Sequence, residues 1–250
     1  MSKISTIHYI KLVFRSLLFL AAAGIYIFHL IHQSAIPFDN YGSHSYFLGF
    51  LWVVYFIEMT LRFFPSSLES MGCQKQFARN YLGDPNIHIK PRFTKDLVYV
   101  LLFWVILNGF FGILYHQGII DEGILILISL AYAVCDMICI LFFCPFQTWF
   151  MKNKCCGSCR IYNWDFAMMF TPLIFIKNIY AFTLVLGSLL LVIRWEVTAY
   201  RHPERFYETT NPALSCANCP EKLCHHKKQL QHFLKTNKHL LHRNTTHEET

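Results

Sequence analysis

The chain has 250 residues, of which 54% are hydrophobic, 17% aromatic and 15% charged, with a formal net charge of +7. Soluble domains carry nearer a quarter charged residues, so the apolar excess argues against a soluble protein and for a membrane protein. The basic residues sit mostly in loops beside apolar segments, where orientation and anionic lipid explain them without nucleic acid as a partner.

A first apolar run, Leu12 to Ile31, has Lys11 and Arg15 at its start and His29 and His32 at its far end. It is too long for a secretory signal, and no small-residue cleavage site closes it. Ala21, Ala22, Ala23 and Gly24 at its centre suit close helix contact. The loop that follows, with Pro37, Asp39, Asn40, Gly42 and His44, has no Lys or Arg. The second run, Tyr46 to Phe64, carries Glu58 one turn before Arg62, a pair expected to interact or to face a polar interior.

Residues 65–95 form a long loop with Cys73, five basic residues and a turn at Gly83-Asp84-Pro85-Asn86. Within it Phe77 to Leu82 reads as a short amphipathic surface piece. The third run, Leu97 to Tyr115, contains Asn108-Gly109 and Gly112, which allow tight packing. The fourth, Ile124 to Phe143, carries Cys135, Asp136 and Cys139. The fifth, Phe166 to Trp195, has Pro172 and Lys177-Asn178 in its first half and reads as one kinked helix that begins in the interface. Runs of roughly 20 apolar residues are long enough to cross a bilayer as helices. The expected fold is therefore all-α: a polytopic membrane bundle of about five helices in residues 1–195, followed by a Cys/His-rich polar tail in residues 196–250.

Eleven Lys and Arg residues lie before the first run and in the second and fourth loops, and none in the first and third loops. The positive-inside rule then sets a multi-pass cell-membrane protein with its N-terminus and the loop 144–165 in the cytoplasm. Five spans would put the tail outside, yet the tail holds eight basic residues, with Arg201 and Arg205 near the last span. If Phe166–Trp195 were re-entrant, both cysteine groups would share one face. Thirty residues are short for two crossings, so five spans are expected and the side of the tail is left undecided.

Two polar regions concentrate thiols. The loop CPFQTWFMKNKCCGSCRIYNWD holds Cys144, Cys155, Cys156 and Cys159 with Lys152, Lys154 and Arg160 between and beside them. Neighbouring cations stabilise thiolates, and vicinal cysteines suit cluster ligation or redox exchange better than a single zinc. In the alternative, Trp149 and Trp164 anchor an interfacial loop whose cysteines are small apolar residues. The tail carries Cys216, Cys219 and Cys224 followed by His225 and His226. Cys-x-x-Cys with one more thiolate and an imidazole can complete a tetrahedral zinc shell, and thiolates also hold iron–sulfur clusters. An extracellular tail would instead allow a disulfide. Further on, Leu230, Phe233, Leu234, Leu240 and Leu241 give an amphipathic helical pattern, and Asn244-Thr245-Thr246 fits a glycosylation acceptor.

Asp136 inside an apolar run is costly and marks a functional candidate, with Lys177 as its expected ion-pair partner. Bis-histidine haem ligation, as in five-span haem b subunits of respiratory complexes, would need two facing histidines at depth. Here the fifth run has none, and His29, His32, His44 and His116 fall at span ends or in outer loops.

The strings CCGSCRIYNWDFAMMFTP and NPALSCANCPEKLCHHKK resemble a pair of blocks in uncharacterised polytopic membrane proteins of anaerobic bacteria. The resemblance covers about a fifth of the chain and implies co-occurrence of the blocks, with no activity attached. CCG is also similar to the cysteine-rich domains of heterodisulfide-reductase-like proteins, but those are soluble and pair it with a far more distant CxxC, so no ligands carry over. The expected function is a membrane redox component whose cysteine-ligated metal centre, iron–sulfur in first place, exchanges electrons with a membrane partner. One alternative is a transport or binding protein for a small molecule with structural zinc. Another is a thiol-disulfide enzyme.

Overall fold

The computed structural model describes residues 2–32, 45–84, 87, 89–90, 94–151, 155–215, 217–219 and 221, and among these there is no strand. The main helices are α1 (Lys3–His32), α2 (Ser45–Leu61), α4 (Lys95–His116), α5 (Glu122–Leu141) and α7 (Ile179–Arg201), with short helices α3 (Met71–Gln74) and α6 (Asp165–Phe170) in the connections. Four of them (α1, α4, α5 and α7) have the length and apolar character to cross a membrane, and α2 is a shorter apolar helix. Large apolar side chains face outward along them, among them Leu17 and Leu20 on α1, Ile106 and Phe110 on α4, and Leu189 and Ile193 on α7. Exposed apolar area on this scale is foreign to a monomer in water and compatible with lipid contact.

The bundle has two ends. At one, which we call the loop end, lie the start of α1, the ends of α2, α5 and α7, and the cysteine loop. At the other, the far end, Tyr26 of α1 donates to Asp121 at 2.8 Å, and Asp121 also accepts from the Ile124 amide at 2.8 Å, capping α5. The core lies between, with Ala22, Leu125, Phe166, Met169 and Leu191 fully excluded from solvent. Small residues bring helices together at chosen points. A methyl group at Gly112 would collide with Phe175, and one at Gly187 with Met59, whereas Gly24 and Gly109 face open space.

The segment expected to be one kinked helix over Phe166–Trp195 is broken into two, α6 and α7. α6 is followed by a 3-10 turn, Thr171–Phe175, and the chain leaves helical geometry until Asn178 caps α7 by accepting from the Tyr180 amide at 2.8 Å. α6 starts at the loop end, where Asp165 pairs with Arg62, and reaches the far end, where Ile176 and Asn178 share a cavity wall with Leu48, Glu122 and Tyr180. α7 then returns. Thirty residues suffice because the 3-10 turn rises about 2 Å per residue and the exit stretch is extended. Pro172 lacks the N–H that an α-helix would need there.

Irregular backbone inside an apolar bundle is tolerated only where neighbouring groups satisfy it. The Ser129 hydroxyl donates to the Met169 carbonyl at 2.8 Å, the Thr171 hydroxyl to the Ala167 carbonyl at 2.6 Å, and the Trp104 indole to Thr171 at 3.1 Å. A lone pass of this kind would not hold in lipid, and here Phe166, Met169, Phe170 and Leu173 are buried within the bundle.

The described part of the tail packs at the loop end. Beyond α7, the Arg205 guanidinium donates to the Gln76 carbonyl at 3.1 Å. Glu221 accepts from the Met71 amide, and its backbone carbonyl accepts from the Ser2 hydroxyl at 2.6 Å. The N-terminus, the 62–84 connection, the cysteine loop and the described part of the tail thus pack together at the loop end. Phe77–Leu82, expected as an amphipathic piece, forms only the 3-10 turn Ala78–Asn80. The amphipathic pattern from Leu230 and the acceptor at Asn244 lie outside the described residues.

Candidate functional site: a thiol-lined loop above a buried ion network

The loop leaves α5 through Cys144, whose sulfur accepts from the Gln147 amide at 3.4 Å, and enters a π-helical turn, Phe146–Phe150. Cys155, Cys156 and Cys159 are all buried. The Cys156 thiol donates to the Gln147 side-chain oxygen at 2.9 Å, and the Gly157 amide donates to the Cys155 sulfur at 3.3 Å. Cys159 packs with Leu97, Val100 and Ile161.

Among the described residues, a buried cation from outside the loop sits against it. Lys75, 1% exposed, reaches up from the end of α3 and donates to the carbonyls of Gly157 at 2.8 Å and Cys159 at 3.1 Å. Its ammonium lies 5.2 Å from the Trp195 ring centre and 5.4 Å from that of Phe206, within cation–π range. Burial brings its pKa down to about 8. Among five basic residues of its loop nothing in the sequence distinguishes Lys75; only the fold does. Arg160, expected to serve the thiols, is bound instead to Glu196 at 2.6 Å and stacks on Phe206. Lys152 and Lys154 lie outside the described residues.

Cys73 is a further buried thiol below the loop, beside the Ser70 hydroxyl at 3.9 Å, and burial pushes its pKa far up. Tyr162, whose hydroxyl hydrogen-bonds Ser70 at 2.9 Å, closes over Gly72. In the tail Cys219 is half-buried. Cys216, Cys224, His225 and His226 lie outside the described residues. Among the described residues no group of three Cys, His, Asp or Glu side chains is arranged to hold a metal ion.

Beneath the loop, one to two turns into the bundle, sits a chain of seven alternating charges. Asp136 of α5 accepts from Arg15 of α1 at 2.9 Å, and Arg15 also donates to Glu58 of α2 at 2.9 Å. Glu58 meets Lys11 at 2.8 Å, Lys11 meets Glu69 at 3.2 Å, Glu69 lies 3.8 Å from Arg62, and Arg62 pairs with Asp165. Arg15 and Arg62 are each about 98% buried, and Arg15 also donates to the Ala133 carbonyl at 3.0 Å. For Glu69, burial opposes ionisation, but Arg62 and Lys11 outweigh it and hold the carboxyl below its usual range.

One sequence expectation is corrected here. Asp136 pairs with Arg15, not with Lys177, which is exposed at the far end before α7. The reason is the extra leg through α6, which carries Lys177 away from the loop end. Glu58 and Arg62, one turn apart, were expected to interact or to face a polar interior; they do not pair with each other, and both face the interior ion network. Of the histidines considered for haem, His32 stacks on Phe28 at 4.0 Å, His116 is exposed at the end of α4, and His44 lies outside the described residues.

No protein-family model, curated protein or solved structure matches this chain.

Proposed function

We propose that the chain is an integral membrane redox component with a cysteine-ligated metal centre, iron–sulfur in first place, at the loop end of a six-pass bundle. The observation that carries this reading is the docking of the tail through Glu221 onto Ser2 and Met71, at the same end as Cys155, Cys156 and Cys159. The two thiol groups are separated by more than fifty residues in sequence, and a shared site requires them at one end. Buried Lys75, in its protonated form, places a positive charge beside the loop, which favours thiolates and the net negative charge of a thiolate-bound cluster. Cys144, Cys155, Cys156 and Cys159 from the loop, with Cys216, Cys219, Cys224 and His225 from the tail, are the candidate ligands.

Six passes also remove the charge conflict of a five-pass chain, since Arg201 and Arg205 join the basic residues of the loop end. By the positive-inside rule that end is cytoplasmic, in the cell membrane. The outward apolar faces contact the bilayer, and the electron partner is a membrane component.

Metal and acid-labile sulfide analysis, with an absorption spectrum, on protein purified anaerobically in detergent tests this reading. Iron with sulfide in whole-number ratio, and a broad visible band bleached by a reductant, is the expected result. Zinc alone would make the centre a structural one beneath a transport or binding protein. No metal would leave thiol–disulfide chemistry at Cys155, Cys156 or Cys159.

A further inference from the structure

The ion network is short of one positive charge. Its members are Asp136, Glu58, Glu69 and Asp165 against Arg15, Lys11 and Arg62, so four carboxylates face three cations in the bundle interior. The order along the chain decides where the deficit falls. Glu58 and Glu69 each lie between two cations, whereas Asp136 and Asp165 are the two ends and have one cation each. The side chain of Asp165 is 5% exposed, and its Oδ1 is fully buried with no hydrogen-bond partner.

The other groups facing this point do not fill the gap. From α1 come Lys11, Arg15 and His8, whose Nδ1 is 2.8 Å from the Ile4 carbonyl. From α2 comes Tyr55, stacked under Arg15 with its centroid 5.8 Å away, and from the connection Cys73. From the cysteine loop come Tyr162, bound to Ser70, and Asn163, which accepts from Arg62 at 3.4 Å and donates to the Cys73 carbonyl at 3.3 Å. The buried face of α7 carries Ala181, Leu184, Ser188, Leu191, Trp195 and Ala199, none of them titratable.

We infer that the network is a binding site for one exchangeable proton, carried by one of its two end carboxyls, Asp136 or Asp165, which makes the seven-member chain electrically neutral. A proton suits the site because it needs no coordination shell and removes the charge of a buried carboxyl that has one cation where Glu58 and Glu69 have two. The site stands on charge order and geometry alone and holds whatever metal the loop above it binds. It gives a bundle reading of this class a place to take up and release a proton at one membrane face.

Isotope-edited infrared spectroscopy of the whole protein in lipid nanodiscs, with the side-chain carboxyl carbon of aspartate labelled, tests this. The expected result near neutral pH is the carbonyl stretch of a neutral aspartic acid in the native protein, lost in Asp165→Asn or in Asp136→Asn. Absence of that band in the native protein, or its survival in both variants, would overturn the proposal. So would a rise in thermal midpoint specific to sodium over choline in protein that shows no such band, since the missing charge would then be a metal cation. The native-protein band and the sodium arm keep the test decisive even where a variant does not fold.

Discussion

The buried ammonium of Lys75 donates a 3.1 Å hydrogen bond to the carbonyl of Cys159. With its second bond, to Gly157, this one side chain fixes the curvature of the loop that presents three thiols. Lys75→Met keeps the stem and removes the donors, leaving two carbonyls unpaired in a buried site. A loss of about 2–4 kcal/mol in unfolding free energy is expected, from the cost of unsatisfied buried groups. Maleimide labelling of the loop cysteines should quicken in the same variant. Lys75→Arg should not restore the native rate, because a planar guanidinium does not fit a point-charge cage between two rings.

Arg15 holds two carboxylates, Glu58 and Asp136, from a fully interior position. Arg15→Leu strands Asp136 and leaves Glu58 with Lys11 alone, and removal of one partner of a buried pair costs about 3–5 kcal/mol. Thermal unfolding in detergent should show a large drop in midpoint. Adding Asp136→Asn to Arg15→Leu should recover part of it.

Glu69 gives the fold an acid limit. Its folded carboxyl is held below the ordinary value of 4.5, so the folded state binds this proton more weakly than the unfolded chain does. The stabilisation is therefore complete above the ordinary carboxylate range and is lost as pH falls through 4.5 and on to the lowered folded value. Unfolding midpoints taken across this range should decline in the native protein and decline less in Glu69→Gln. Equal slopes in the two would remove Glu69 from the ion chain.

The close approach of α4 to the 3-10 turn depends on Gly112 lying against Phe175. Gly112→Val overfills that contact and should cost about 1–3 kcal/mol, a typical overpacking cost. Gly109→Val, which faces open space one turn earlier, should unfold at the native temperature.

Much of the bundle is legible in the sequence, because apolar runs of spanning length mark α1, α4 and α5 directly. Gly112 was readable as a contact point, though Gly109 beside it in the same pattern was not distinguishable from it. The separate leg through α6 was hidden by continuity. Its apolar residues run into those of α7, and only Pro172 with Lys177-Asn178 signals the break. The ion network was half legible: Glu58, Arg62 and Asp136 stand out in apolar runs, but their partners lie as far as 121 residues away, as Arg15 does from Asp136. Choice of partner is a property of helix packing, which no local pattern encodes. Lys75 and Asp165 gave no local sign at all, since a lysine in a basic loop and an acid before a helix are ordinary residues there.

The proposed redox centre requires a sixth pass, through α6, that would bring the tail to the same membrane face as the N-terminus and the cysteine loop. Compartment-sensitive reporters fused to the N-terminus and to the C-terminus of the full chain, in membranes of living cells, measure this directly. Both reporters on the same side, the cytoplasmic one, is the predicted result. Reporters on opposite sides would mean that residues 166–195 cross once, and that the thiols of the loop and tail cannot share a centre.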